Sequence, residues 1–514
     1  MSLRPFIRLT AIVVALTLTA AACSGAADTT AGDDEAPDTA ADNETESAPD
    51  QQSTAAAGDG DAAGEGDNVE PDTDDAAAPA LPAAGEFNAP STFGDPPPIP
   101  SDYDPALDEA LDRVFGNTLS TAGFATTERD ALQAIEDSGD PRLAWNIADL
   151  LRFFGTGQGS LITTAEGLTG LDLSDISPWG DLTDHLIAWD VPAPPGYVTH
   201  KRRLFTEVVP AWAPFFDEDA SVDAGGLVDY RLWSWGGVGI DDRPFDQTNL
   251  PCGCIPAVDN PPVTDAAGGG WYDDDRIVFG VEINGEARAY PRNIMEIREM
   301  VNDTLGGRDI GMPYCTLCGS AQVYFTDQLP EGVERPVLRT SGLLTRSNKV
   351  MFDVNTFSVF DTFLGTAVAG PLADIGLELE QATVVTTTWG EWKAAHPDTT
   401  ILAESVALGR DSDLLNTRDA DGPIFPVGDV DPRLPVQEPV LGVTTAEGQP
   451  VAFPVEAARR TLLDGGTVEF DDITVELFAG GVRAVGADGA EIGSHQAFWF
   501  AWSQFHPDTE VWQG

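Results

Sequence analysis

Between Pro105 and about Asp190, apolar residues recur at helical spacing; beyond about Val198 they fall into short alternating runs broken by Gly, Pro and Asn. Leu143, Ile147, Leu150, Leu151 and Phe154 line one face of a helix that Pro141 can open and Gly155 can close. Thr127-Glu-Arg-Asp130 has the look of a capping box and predicts a helix running through Ile135. Short helices joined by Ser-Gly-Asp predict a small helical module over residues 101–197, and packing is its expected role.

After a connecting segment at 198–275 the period shifts to two. Arg276-Ile-Val-Phe-Gly-Val-Glu-Ile283, then Asn284-Gly285, then Ala287-Arg-Ala-Tyr290 predict a hairpin with a tight turn. Tyr290-Pro291 leads into a predicted helix over 292–301. This unit recurs. Residues 278–291 match residues 440–454 with one inserted residue. Trp389-Gly-Glu-Trp392 with His396-Pro-Asp-Thr399 matches Trp499-Phe-Ala-Trp502 with His506-Pro-Asp-Thr509 at identical spacing. The expected fold class is α+β: the helical module, then a β-rich domain built on an internal duplication, unit 1 over 276–402 and a shortened unit 2 over 438–514, joined by a loop at 403–437.

The N-terminus supplies an address. Arg4 and Arg8 precede an apolar run from Ala11 to Ala22, too short to span a bilayer, and Cys23 follows small residues. The ending Leu18-Thr-Ala-Ala-Ala-Cys23-Ser-Gly25 resembles a bacterial lipobox, with Ala20 where Leu is preferred. This predicts a signal peptide over 1–22, lipidation of Cys23, and an exported protein held on the cell membrane; cleavage after an Ala-x-Ala would instead release a secreted form. Residues 24–100 carry 19 acidic side chains and no Lys or Arg, and residues 23–100 are expected to form a disordered acidic tether. The whole chain has net charge −58, which excludes nucleic-acid binding through a basic surface. Membrane association through the lipid is the one partner implied.

Chemistry gathers on cysteine. Cys315 and Cys318 form a C-x-x-C, and Cys252 and Cys254 a C-x-C. Each pair can bind a soft metal (zinc, copper or iron), cycle as a redox disulfide, or close a structural one. Gly319-Ser320 leads into Gln322-Val-Tyr-Phe325, which reads as a strand, so Cys315 and Cys318 are expected in a turn between strands and not at a thioredoxin-type helix. Four thiolates could also make one site, although C-x-C is an uncommon zinc spacing. The paired His-Pro-Asp-Thr segments read as helix-exit turns. Asp411, Asp413, Asp419 and Asp421 miss the EF-hand pattern, and Asp273-Asp-Asp275 reads as a solvated turn.

Tyr314-Cys-Thr-Leu-Cys-Gly-Ser-Ala321 carries a resemblance. With Ile255-Pro-Ala-Val-Asp-Asn-Pro261, Ala289-Tyr-Pro-Arg292, Val301-Asn-Asp303, Ala369-Gly-Pro-Leu372, Phe425-Pro-Val427, Arg433-Leu-Pro435 and Ala497-Phe-Trp-Phe-Ala-Trp502, it resembles the exported prokaryotic family called domain of unknown function 3179, over about residues 235–514. The resemblance implies no established activity. The family usually has His in a Trp-His-Glu-Ile-Val-Asn-Asp run, where this chain has Arg298, so a metal ligand at that place is missing. The Cys252–Cys254 pair is not a recognised feature of that family and is expected to form a local disulfide. The leading expectation is a binding or envelope-associated role centred on the C-x-x-C turn, with a soft metal as its candidate cofactor. The alternatives are a thiol oxidoreductase, with Cys315 as nucleophile and Cys318 as resolving thiol, and a structural surface protein stapled by a disulfide.

Overall fold

A computed structural model describes residues 91–116, 126–154, 159–174, 177–248, 251–404 and 422–514. The signal segment, Cys23, most of the acidic tether and Asp411 to Asp421 lie outside the described residues.

Among the described residues six helices come first: α1 (Ala106–Phe115), α2 (Thr126–Ser138), α3 (Ala144–Phe154), α4 (Gly159–Thr169), α5 (Pro178–Ala188) and α6 (Tyr197–Val208). Pro141 sits in a 3₁₀ turn, where the Asp140 side chain accepts from the Arg142 amide just before α3 begins. Thr127 lies within α2 and so is not its N-cap. The helices continue past residue 197, because Tyr197, Val198, Leu204 and Phe205 give α6 a buried apolar stripe. The helices share one core with a sheet: Leu343, Val350, Phe352 and Val359 pack among their side chains. Trp212 Nε1 also donates to the Ser341 carbonyl, 2.7 Å away. Residues 91–100, expected to be disordered, are docked; the Phe93 ring meets His185 edge-on, and its carbonyl accepts from Trp189 Nε1. Phe93 is a large aromatic at the end of a stretch that has few apolar side chains to bury.

The rest of the described residues are β-rich, with five small sheets. Two of them are built from the two matching segments. In one, Val385–Thr388, Ile277–Ile283, Glu286–Pro291 and Thr400–Leu402 lie side by side; in the other, His495–Phe498, Pro439–Thr444, Pro450–Pro454 and Glu510–Val511 do. The registers correspond. Gly280 faces Ala289 and Val385, and Gly442 faces Ala452 and His495, while the last strand of each set runs parallel to the hairpin. Asn284 and Gly285 both take positive φ, the backbone that a two-residue type I′ turn requires. Each His-Pro-Asp-Thr closes a helix, but the residue that ties the turn is the threonine. Trp392 Nε1 donates to Thr399 Oγ1 at 2.9 Å and Trp502 Nε1 to Thr509 Oγ1 at 2.8 Å.

Candidate functional site

The strand Arg308–Cys315 ends at the first cysteine of the C-x-x-C, and Ser320–Ala321 returns beside it, with Cys315 opposite Ser320. The turn between them is closed by the Cys318 amide donating to the Cys315 carbonyl at 3.3 Å. Gly319 has φ +58°, and a side chain there would strike the Phe498 ring. The expected turn between strands is therefore what forms. Both cysteines are free thiols, 2% and 1% exposed, in a core shared with Trp499, Phe500 and Trp502 of the second matching segment.

Two other loops complete the site. Ser347 sits at the turn between Leu338–Thr345 and Asn348–Asp353, and its carbonyl lies 3.6 Å from Cys315 Sγ and 3.5 Å from Cys318 Sγ. The helix Arg292–Arg298 ends at Glu299, in left-handed backbone at φ +48°. That bend presents the Glu299 carboxylate to Lys349 Nζ at 3.1 Å and to Thr316 Oγ1 at 3.3 Å, while Lys349 also donates to the Glu299 carbonyl. A lysine–glutamate pair thus stands beside the thiols.

This environment separates the two sulfurs. Burial alone would push the Cys315 thiol up, but the Cys318 S–H donated to it and the Lys349 ammonium outweigh burial and hold it below its usual value. Cys318 is pushed well above its usual value by burial and by its role as donor to Cys315. One sulfur is thus favoured as thiolate while the other holds its proton. Polar groups without partners surround it: Ser320 Oγ, opposite Cys315, and both side-chain polar atoms of Asn348, between Ser347 and Lys349, are fully buried.

Cys252 and Cys254 are joined in a disulfide. Asp241 stands close enough to make an Asp/Cys/Cys group with their sulfurs. However, Asp241 is held by the Arg243 guanidinium and the Ala257 amide, and sulfurs bonded to each other offer no thiolate to a metal. Among the described residues the four cysteines do not form one cluster, and no His, Asp or Glu joins Cys315 and Cys318 within ligand reach. Arg298 has its guanidinium on Glu404, with both contacts at 2.8 Å. Lys349, Glu299 and Ser347 were not singled out from the sequence. They come from two segments distant from the C-x-x-C in sequence, the end of the helix Arg292–Arg298 and the hairpin holding Ser347 and Lys349, and only the positions flanking the C-x-x-C were readable.

The histidines serve packing. His495 lies buried between the side-chain amides of Gln322 and Gln381, and burial, with the neighbouring His506, pushes it down to about 3. His506 lies tilted against Trp502, and burial lowers it to about 4.

No curated protein and no solved structure matches the chain. The family model described as "Protein of unknown function (DUF3179)" matches residues 252–485, a span that contains the C-x-x-C turn, Glu299 and Lys349. Residues 252–485 of this chain thus match the DUF3179 family model, the family that the cysteine motif and its flanking segments resemble.

Proposed function

We infer that this is an exported, lipid-anchored protein whose C-x-x-C turn is a thiol–disulfide centre. The observation that carries the reading is the placement of Cys315 beside the Lys349–Glu299 pair, with Cys318 as its S–H donor and no third metal ligand in reach among the described residues. The Cys315 thiolate attacks one sulfur of a partner disulfide and expels the other as thiolate. Cys318, after losing its proton, then attacks Cys315 in the mixed disulfide and releases the second thiolate. The partner disulfide gains two electrons and Cys315–Cys318 becomes oxidised. Because both thiols are buried, exchange waits on opening of the turn at 316–319. The two matching sheets fit an origin by internal duplication, with the cysteine turn added to the first copy.

A soft-metal site is the second reading, favoured by the convergence of both sulfurs on the Ser347 carbonyl. One experiment separates the two. The purified full-length protein is equilibrated in glutathione buffers of stepped redox poise, its free thiols are counted by mass, and its metal content is measured. The thiol reading expects reversible formation of a Cys315–Cys318 disulfide and no stoichiometric metal. Stoichiometric zinc, copper or iron that is lost in Cys315→Ser replaces it with the metal reading, and a pair that never oxidises defeats it. Export and anchoring rest on Arg4, Arg8, the run 11–22 and Cys23. Labelled palmitate should appear on the native protein and vanish in Cys23→Ala; an unlabelled secreted product rejects the anchor.

A further inference from the structure

Residues 425–430 pack against the cysteine core without belonging to a strand or a helix. On their inner side, Val427 is buried in the cluster that holds Cys315 and Cys318, and the Phe425 carbonyl accepts from Ser347 Oγ at 3.3 Å. Ser347 is the residue whose own carbonyl meets both sulfurs. The cysteine turn is fixed elsewhere by the second matching sheet. The Cys318 carbonyl accepts from the Phe498 amide at 2.9 Å, and Gly319 is pressed on the Phe498 ring. Displacing residues 425–430 would uncover the thiols and break no strand pairing.

What holds these residues comes largely from the helical part. The Val427 and Gly428 amides both donate to Asp184 Oδ1 on α5, at 2.7 and 2.9 Å. Trp179, also on α5, meets the Phe425 ring edge-on, and the Arg152 guanidinium of α3 lies over that ring at 5.4 Å. The Thr92 amide donates to the Asp429 carboxylate at 3.2 Å, and the Gln504 side chain to the Val427 carbonyl at 3.3 Å. Gly428 fits only as glycine. Its φ is +74°, and a β-carbon there would lie 2.6 Å from the Ile187 side chain and 3.0 Å from the Ala188 backbone nitrogen. One carboxylate thus takes two backbone amides that have no ladder to join. Segments outside the regular ladders open at lower free energy than the sheets beneath them.

We propose that residues 425–430 form a strap that gates Cys315 and Cys318 and is latched to α5 by Asp184. The inference rests on reading the C-x-x-C as a thiol–disulfide centre, and it names what governs entry to that centre. A partner disulfide reaches Cys315 only after the strap has lifted from α5 and the turn at 316–319 has room to open. The helical part, for which packing is the role expected from sequence, then also controls access.

Alkylation of Cys315 by iodoacetamide, followed by peptide mass in the reduced, chelator-treated full-length protein, tests this. The wild-type rate should be slow and nearly flat in low urea, because the opening that admits the reagent is local. Asp184→Leu, which strands two amides, and Gly428→Ala, which collides with α5, should each speed alkylation by about tenfold or more. Asp184→Asn, whose amide oxygen still accepts, should stay near the wild-type rate. Unchanged rates in Asp184→Leu and Gly428→Ala overturn the proposal, as does acceleration no greater than their lowered denaturation midpoints account for. So does a wild-type rate that climbs with urea as steeply as global unfolding, a result that needs no variant to fold. Alkylation involves no disulfide exchange, so these outcomes are separate from the glutathione experiment on the thiol reading itself.

Discussion

Gly280 lies flat against the indole ring of Trp392, so close that a methyl group on its α-carbon would sit inside the ring carbons' van der Waals surface. Gly442 stands in the same relation to Trp502. The strand needs no left-handed backbone at either place; the glycine is there for the ring. Gly280→Ala and Gly442→Ala should therefore each destabilise by about 1–3 kcal/mol through overpacking, read as a lower denaturation midpoint. Substitution at Gly285, which has open space around it, would act through its positive φ alone.

Lys349 should control the acidity of Cys315. Replacing it with methionine removes the ammonium that favours the thiolate, so titration of thiolate ultraviolet absorbance should move upward in pH. Cys318→Ser should shift it less, since a hydroxyl can still donate. An unmoved titration in Lys349→Met would show that the lysine serves only Glu299.

Stability should depend on pH through the buried histidines. His495 and His506 titrate near 3 and 4 in the folded protein and near about 6.5 when unfolded. Between those values the unfolded chain binds the extra protons. Their stabilisation is complete above the unfolded value and is lost as pH falls toward the folded ones. The slope approaches about 1.4 kcal/mol per pH unit for each histidine. Urea unfolding at about pH 5 and pH 7 should show the loss, and His495→Gln should reduce it.

In the helical part, Lys201 Nζ meets Asp149 Oδ1 at 2.6 Å and the Tyr197 hydroxyl at 2.9 Å, all buried. Burial drives Asp149 up and Lys201 down, so each keeps its charge only through the other. Lys201→Met should cost about 3–5 kcal/mol by stranding the carboxylate, and Lys201→Met with Asp149→Leu should recover much of it. A single-variant cost below about 1 kcal/mol would mean that Asp149 simply takes up a proton.

Periodicity was enough to place the helices, the Asn284-Gly285 hairpin, the twinned Trp segments and the turn holding Cys315 and Cys318, because each depends on residues adjacent in sequence. Other features were invisible for the opposite reason. Glu299 reaches the thiols from the end of one helix, and Ser347 and Lys349 reach them from a hairpin some 50 residues further on. The helical segment looked like a module of its own, yet its core takes in Leu343, Val350 and Phe352 from 150 or so residues onward. By itself the sequence determined the order of elements, the repeat and the candidate thiols. Tertiary structure alone decided that Cys252–Cys254 is closed while Cys315 and Cys318 are free, and which charge stands beside them, since burial and Coulomb energy depend on distances that chain order does not set.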